Sequence, residues 1–149
     1  DTRKTLPGLR IAQKYAVKIG GGMNQRLGLY DEILIKENHI KSIGSIERTM
    51  HKINNDPKIS DYQIEVESLK QMRSAIKLGA TNILLDNFSI NATKKAVAIN
   101  KNKATLEISG NINIDNILRY AKTGVTRISV GAITKNIEAI DFSMIIETI

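Results

Sequence analysis

The sequence predicts an α/β fold in which parallel strands alternate with helices, forming most of an irregular, TIM-like barrel that is incomplete at its amino terminus. Five short apolar runs rich in β-branched residues are spaced along the chain, as is typical of buried parallel strands. Amphipathic segments separate these runs, and glycines or polar residues break the chain between the two. No linker rich in Pro, Gly or Ser divides the chain, because proline occurs only at Pro7 and Pro57.

The predicted strands coincide with the five apolar runs. They cover residues 33–35, 64–66, 83–85, 105–108 and 128–130. A complete eight-fold barrel usually takes about 250 residues, and this chain has 149 residues and five predicted strands. The sequence therefore predicts part of a barrel, and we interpret it as the later part. The chain opens on charged residues and then enters a helix, so we expect residues 1–149 to be a partial domain without its first strand.

Three segments outside the predicted strands have the apolar spacing of helices. The first has Pro7 in its first turn and ends at Gly20. Its predicted inner face consists of Leu9, Ala12, Ala16 and Ile19.

The second helix is predicted to be capped by Ser68 and to stop at Gly79. Its inner face consists of Leu69, Met72 and Ile76. A third helix is predicted to stop at Gly124, and its apolar stripe consists of Ile114, Ile117, Leu118 and Ala121.

Composition narrows the classes of function. Hydrophobic residues make up 42% and charged residues 25%, which is typical of a globular chain. There is no cysteine, which excludes disulfides, thiolate metal sites and cysteine nucleophiles. No apolar run approaches the ~20 residues that cross a bilayer, so no membrane partner is predicted.

The formal net charge of +7 favours anionic ligands. Nucleic acid is one candidate, but aromatic residues make up only 4% and there is no Trp to stack on bases. The basic residues are also spread along the chain. We therefore predict small anions, such as phosphates and carboxylates, and no nucleic-acid partner.

Polar residues gather where the predicted strands end, which is where α/β barrels carry their chemistry. They comprise Lys36, Glu65, Asp86, the Ser109-Gly110-Asn111 segment and Gly131. Glu65 is the most informative, because it alternates with Ile64 and Val66 and would share its face with Glu67. A carboxylate inside a barrel must be paired or functional, since an isolated buried charge is very costly.

Structural roles remain open for several of these residues. Lys36 could extend from a strand edge into water, and Asp86 could cap the next helix. Gly110 and Gly131 would let backbone N–H groups approach a phosphate, although glycine after a strand is common. No paired histidine spacing indicates a metal site.

The basic and acidic candidates are predicted to meet at one barrel mouth. The basic set is Arg3, Lys4, Arg26 and Lys36, and the acidic set is Glu65 and Asp86. Such a mouth suits a polyanionic substrate whose reaction develops positive charge.

Seven segments, in colinear order, resemble a known family. They read DTRKTLPGL (1–9), GGGMNQRLGL (20–29), LIKENH (34–39), EVE (65–67), LLDN (84–87), LEISGN (106–111) and SVGA (129–132). Together they closely resemble quinolinate phosphoribosyltransferase, which is also called nicotinate-nucleotide pyrophosphorylase (carboxylating).

The resemblance implies an amino-terminal sandwich domain followed by an irregular α/β barrel, of which this chain would be the part from the second strand end onward. It implies transfer of phosphoribosyl from phosphoribosyl pyrophosphate, with Mg²⁺, to quinolinate. The products would be nicotinate mononucleotide, pyrophosphate and CO₂, in NAD biosynthesis. It also implies a homodimer or larger assembly with shared active sites and a cytoplasmic enzyme, so we expect the fragment alone to be inactive.

The resemblance also implies residue roles. Arg3, Lys4, Arg26 and Lys36 would hold anionic groups, chiefly the quinolinate carboxylates, while Glu65 and Asp86 would lie near the ribose and the metal-bound pyrophosphate. Lys36, Glu65 and Asp86 would form the catalytic set. The phosphate-binding set would be Ser109, Gly110, Asn111, Ser129 and Gly131.

Gln25 departs from the family pattern, which usually has His at the substrate-binding position before the arginine. Glutamine still donates a hydrogen bond but carries no positive charge and does not titrate. Three alternatives stay open: a pyrophosphorylase-like protein of molybdenum transport loci, a non-catalytic binder of anions or nucleic acid, and an inactive remnant.

Overall fold

The computed structural model describes residues 1–147 and contains one parallel sheet. Its strands are β1 (Leu34–Ile35), β2 (Gln63–Val66), β3 (Asn82–Asp86), β4 (Thr105–Ser109) and β5 (Arg127–Ile128). They pair in the order β1-β2-β3-β4-β5. This sequential order is the one that strands take around a barrel wall, and the predicted parallel α/β fold is confirmed.

Helices precede, separate and follow the strands. Within residues 1–147 they are α1 (Arg10–Ile19), α2 (Glu37–Ile43), α3 (Ile46–Asn54), α4 (Leu69–Lys77), α5 (Ile90–Asn100), α6 (Ile117–Ala121) and α7 (Ala132–Lys135). Serines cap three of them: Ser45, Ser68 and Ser89 accept backbone N–H groups at 3.2, 3.3 and 3.3 Å. The predicted cap at Ser68 is therefore confirmed.

The two faces of the sheet differ in polarity because side chains alternate along each strand. One face carries apolar residues that are buried under the helices, namely Ile64, Val66, Ile83, Leu85, Leu106 and Ile108. The opposite face carries the buried polar residues Gln63, Glu65 and Glu107. The register pairs the polar residues Asp86 and Ser109, whereas Glu65 and Glu107 lie on either side of Leu84.

Helix α4 buries the face that the sequence predicts. Met72 is fully buried, while Leu69 and Ile76 are half-buried and pack against the core. The chain leaves the helix through Gly79, whose φ of +90° suits glycine.

The predicted inner face of α1 is wrong. Leu9 and Ile19 are 49% and 69% exposed, and the buried residue of the helix is Lys14. Pro7 lies before the helix, which begins at Arg10. An apolar stripe predicts that the apolar face of a helix packs against the protein. Within residues 1–147, however, α1 packs through its polar side.

Other boundaries also differ from the prediction. Helix α6 contains no buried residue, Leu118 is 69% exposed, and Ile114 lies outside the helix. Strand β2 ends at Val66, so Glu67 is exposed beyond it instead of sharing the face of Glu65. No helix formed by the described residues is long and apolar enough to cross a membrane.

Candidate functional site

A cavity of about 790 Å³ lies at the carboxyl ends of the strands. It brings together all the residues that the sequence analysis selected. These are Arg3, Lys4, Gln25, Arg26, Lys36, Glu65, Asp86, Ser109, Gly110, Asn111, Ser129 and Gly131. The convergence establishes their proximity, and their roles stay predictions.

Lys36 and Glu65 form an ion pair on the floor of this cavity. Lys36 follows β1 directly and Glu65 lies in β2, and their side chains meet with Nζ and Oε2 3.0 Å apart. The Lys36 side chain is 44% exposed, whereas that of Glu65 is 9% exposed. Burial raises the pKa of Glu65, and the hydrogen bond and charge of Lys36 partly reverse that effect. The ammonium therefore helps to keep a buried carboxylate ionised.

Asp86 links the ends of β3 and β4. Its Oδ1 accepts a hydrogen bond from Ser109 Oγ at 2.9 Å, and its Oδ2 accepts one from Asn87 Nδ2 at 2.8 Å. The next helix is capped by Ser89, so the alternative role of Asp86 as a helix cap is wrong. Asp86 instead presents a hydrogen-bonded carboxylate to the cavity.

The loop after β4 depends on glycine at position 110. Gly110 has a φ of +97°, and a Cβ added there would overlap the side chain of Asn87. Asn111 also has a positive φ, of +52°, and donates to Asn87 Oδ1 at 3.3 Å. The glycine thus permits the close approach of the two strand ends.

Arg3 and Arg26 bring two guanidinium groups to the same cavity. Arg26 is 8% exposed and donates to the carbonyl oxygen of Glu32 at 2.8 Å. The Nε atoms of Arg3 and Arg26 are buried and have no hydrogen-bond acceptor among residues 1–147. Burial lowers the pKa of Arg26, and the positive charge of Arg3 lowers it further. These donors and charges create a strong preference for an anionic ligand.

The loop after β5 packs against the first residues of the chain. A Cβ at Gly131 would lie 3.3 Å from Thr2 Oγ1, and Thr134 Oγ1 donates to the carbonyl oxygen of Lys4 at 2.8 Å. Ser129 follows the strand, and its hydroxyl donates to the buried carboxylate of Glu107.

The family model of the quinolinate phosphoribosyl transferase C-terminal domain matches residues 1–145. The chain belongs to this family.

Similar proteins agree with this assignment to the phosphoribosyl transferase family. The chain is 42% identical to the nicotinate-nucleotide pyrophosphorylase [carboxylating] of Mycobacterium leprae over 97% of its length, which covers 52% of that protein. It is 39% identical to the probable enzyme of that name from Bacillus subtilis, covering 97% of this chain and 50% of the relative. The solved structure of the Francisella tularensis pyrophosphorylase superimposes with a TM-score of 0.88 at 51% identity, covering 95% of this chain and 50% of the other. The chain thus spans about half the length of the relatives it matches.

Gln25 is the position at which the sequence resemblance leads us to expect a histidine, and glutamine stands there. Its backbone is held firmly, with the N–H donating to Asp1 Oδ1 at 2.7 Å and the carbonyl oxygen accepting from Lys14 Nζ. The side-chain amide makes no hydrogen bond to any residue that the structure describes, and Gln25 is one of the residues that line the cavity. The amide is therefore free to meet a ligand.

Sequence reasoning missed several residues of this family member's cavity. They include Thr2, Leu34, Leu84, Asn87, Ile112, Asn113, Lys135 and Asn136. Lys135 adds a cation, and no sequence signal marks it because it ends the four-residue α7. Glu107 accepts a hydrogen bond from Ser129, which lines the cavity. It could have been found, because it alternates with Leu106 and Ile108 as Glu65 does with its neighbours.

Proposed function

We propose that this chain forms the barrel part of a nicotinate-nucleotide pyrophosphorylase (carboxylating). The enzyme would transfer phosphoribosyl from phosphoribosyl pyrophosphate to quinolinate and release pyrophosphate and CO₂. The observation that carries the proposal is the pair of guanidinium groups, Arg3 and Arg26, which line one cavity with buried N–H groups lacking acceptors among residues 1–147.

The charge of the cavity suits two anionic substrates. Its lining contains more cationic than acidic side chains, namely Arg3, Lys4, Arg26, Lys36 and Lys135 against Glu65 and Asp86. A cavity of about 790 Å³ is within the range of small-molecule sites, about 300 to 1,000 Å³. Buried arginines bind carboxylates in a planar, two-bond geometry, which favours a dicarboxylate such as quinolinate.

The two carboxylates would serve the reacting ribose. Positive charge develops at the anomeric carbon as pyrophosphate leaves, and Glu65 and Asp86 would stabilise it while the quinolinate nitrogen attacks. Lys36 would hold a quinolinate carboxylate beside Glu65. The positive charge of the pyridinium formed would stabilise the ring carbanion left when CO₂ departs, and a proton from water would then replace the lost carboxylate. The backbone N–H groups near Gly110 and Gly131 would bind phosphate.

We expect Mg²⁺ to enter with phosphoribosyl pyrophosphate. Among the described residues no group of three or more His, Asp or Glu side chains could hold a metal ion alone. Mg²⁺ needs only one or two protein carboxylates when substrate phosphates and water supply its other ligands. Asp86 is suited to this role because it faces the cavity and its partners are neutral hydrogen-bond donors.

The first test is turnover of quinolinate by the complete natural polypeptide, with nicotinate as the control substrate. Nicotinate mononucleotide formed from quinolinate, with Mg²⁺ and phosphoribosyl pyrophosphate, supports the proposal. No product from a folded polypeptide of confirmed mass would contradict it. Strongly salt-dependent binding to DNA, without a saturable response to quinolinate, would instead favour an anion or nucleic-acid binder.

A matched pair of variants tests the observation that carries the proposal. Arg26→Met removes a buried cavity guanidinium, whereas Arg73→Met removes an exposed one on α4. Arg26→Met should weaken quinolinate binding at least about tenfold, because a charge-assisted bidentate pair is lost. Equal effects of the two variants would remove Arg26 from the site.

We also propose that the protein forms a homodimer or larger assembly and acts in the cytoplasm. Exposed apolar residues on α1, among them Ile11 and Ile19 at 76% and 69%, support an assembly that covers this helix. Light scattering of the complete polypeptide measures the assembly directly, and a monomer at assay concentration would contradict it.

A further inference from the structure

We propose that the buried ion pair between Asp1 and Lys14 is a positioning device that aligns Arg3 and Arg26 for the carboxylate end of the substrate. The inference rests on the proposed function, and it assigns a role to two residues outside the set that touches the substrates. Neither side chain would contact a reacting atom.

The pair holds both backbone groups of one residue. Asp1 Oδ1 lies 2.9 Å from Lys14 Nζ and accepts the N–H of Gln25 at 2.7 Å. Lys14 Nζ also donates to the carbonyl oxygen of Gln25. Asn24 Nδ2 adds a bond of 2.8 Å to the other oxygen of Asp1. The peptide groups on both sides of Gln25 are therefore fixed by opposite charges.

This arrangement couples the two arginine-bearing segments. Asp1 lies two residues before Arg3, and Gln25 directly precedes Arg26. A shift of the ion pair would therefore move both guanidinium groups. These two groups repel each other, so without a firm backbone they would separate in the absence of an anion.

Two other polar side chains of α1 also hold peptide groups of the segments around the cavity. Arg10, one turn before Lys14, donates to the carbonyl oxygens of Arg3 at 3.1 Å and Leu27 at 3.3 Å. Gln13 donates to the carbonyl oxygen of Thr134 at 2.9 Å. Polar side chains of one helix thus hold three of the segments around the cavity.

Removing the charges of Asp1 and Lys14 from water costs free energy, which favours a positioning role over a purely stabilising one. Lys14 is 4% exposed and Asp1 is 8% exposed. Well-packed apolar residues can stabilise a buried position as well as or better than a charged pair does. What the charges supply is directional bonding to a chosen peptide group, which an apolar pair cannot provide.

The test compares two lysines of α1 in the complete polypeptide. Lys14→Met removes the buried ammonium, and Lys18→Met removes an exposed one a turn later. Lys14→Met should raise the quinolinate KM at least about tenfold, because displaced binding groups lose affinity steeply, while the KM for phosphoribosyl pyrophosphate changes less than about twofold. Lys18→Met should change neither. Equal rises in both KM values, or no difference between the two variants, would overturn the proposal.

A second variant covers the case in which Lys14→Met fails to fold because Asp1 is left unpaired. Asp1→Asn combined with Lys14→Met removes both charges but keeps an acceptor for the Gln25 N–H. It should fold and still show the raised quinolinate KM, because the Gln25 carbonyl loses its donor. A wild-type KM in this double variant would overturn the positioning role.

Hydrogen exchange at the Gln25 amide separates the failure of this inference from the failure of the proposed function. Exchange needs no substrate, so it reports on the ion pair even if the wild type has no activity on quinolinate. Faster exchange in Lys14→Met than in Lys18→Met supports the positioning role. Equal exchange in the two variants overturns it, and an inactive wild type overturns the proposed function alone.

Discussion

Replacing Lys36 by methionine should destabilise the fold and weaken quinolinate binding, and pH should separate the electrostatic part of the effect. Methionine keeps most of the side-chain volume and removes the charge. Glu65 then stays buried without the cation whose Nζ lies 3.0 Å from its Oε2. The loss of that partner raises the pKa of Glu65 beyond the increase that burial already causes.

The size of the effect follows from the geometry of the pair. At an effective dielectric constant of about 20, unit charges at this distance attract by about 5 kcal/mol. Water reaches the Lys36 side chain, which is 44% exposed, and ionising the buried Glu65 costs part of the attraction. A hydrogen bond to a charged group contributes about 1.5 to 3 kcal/mol net, and exposed pairs contribute less than about 1. We therefore expect a loss of about 1 to 2 kcal/mol at neutral pH.

The sign of the pH dependence follows from the raised pKa. In the variant, Glu65 has a higher pKa in the folded state than in the unfolded chain, where it is about 4.3. Below the unfolded value both states are protonated and the penalty is absent. As pH rises from there through the folded pKa, the unfolded chain ionises first and stability falls. The difference from wild type should thus be largest near pH 7 and vanish near pH 4.

Urea unfolding at pH 4 and pH 7 measures this difference, with Lys41→Met on α2 as the control at an exposed lysine. Lys36→Met combined with Glu65→Gln should recover most of the lost stability. Equal destabilisation at both pH values, or no recovery in the double variant, would refute the ion-pair reasoning.

Three other predictions concern single positions. Gly110→Ala should lower the free energy of unfolding by about 1 to 3 kcal/mol and weaken the binding of phosphoribosyl pyrophosphate. The reason is that residue 110 has a φ of +97° and the new Cβ overlaps Asn87. An unchanged melting temperature in thermal unfolding would contradict this. Glu32→Gln should stabilise the fold near pH 7 and have no effect near pH 4. Burial, followed by the nearby charge of Glu107, raises the pKa of Glu32, so ionising this residue at neutral pH costs folding free energy that glutamine does not. A gain in stability that persists at pH 4 would exclude titration as its cause. Gln25→His should fold and bind quinolinate at least as tightly as wild type, and more tightly below about pH 6.5, where histidine becomes charged. Calorimetric titration measures this affinity. Weaker binding by a folded variant would mean that the pocket has diverged from the family.

The strands were predictable because each strand of a buried parallel sheet is a short apolar run rich in β-branched residues, which is visible in the sequence. All five apolar runs overlap strands, although the last run shares only Ile128 with β5. The alternation of Ile64, Glu65 and Val66 correctly indicates which side chain faces away from the helices. The same alternation at Leu106 and Ile108 marks Glu107 as a second inward carboxylate, a signal that sequence reasoning did not use.

Amphipathic pattern was a poor guide to which face α1 buries. The spacing of Leu9 and Ile19 correctly predicts a helix, but their side chains are exposed within residues 1–147. The inner face is polar because its partners are loops with free peptide groups, which need hydrogen bonds more than apolar contact. No periodicity in the helix itself contains that information.

By itself, the sequence determined the five strands, three of the helices (α1, α4 and α6), the family and the polar residues at the strand ends, because these depend on local spacing and short motifs. Only the tertiary structure decided which of those groups meet: Lys36 with Glu65, Asp86 with Ser109. The physical reason is that such pairs depend on strand register and on loops packed from distant parts of the chain. Two side chains 29 residues apart, such as Lys36 and Glu65, become neighbours only when the sheet is assembled.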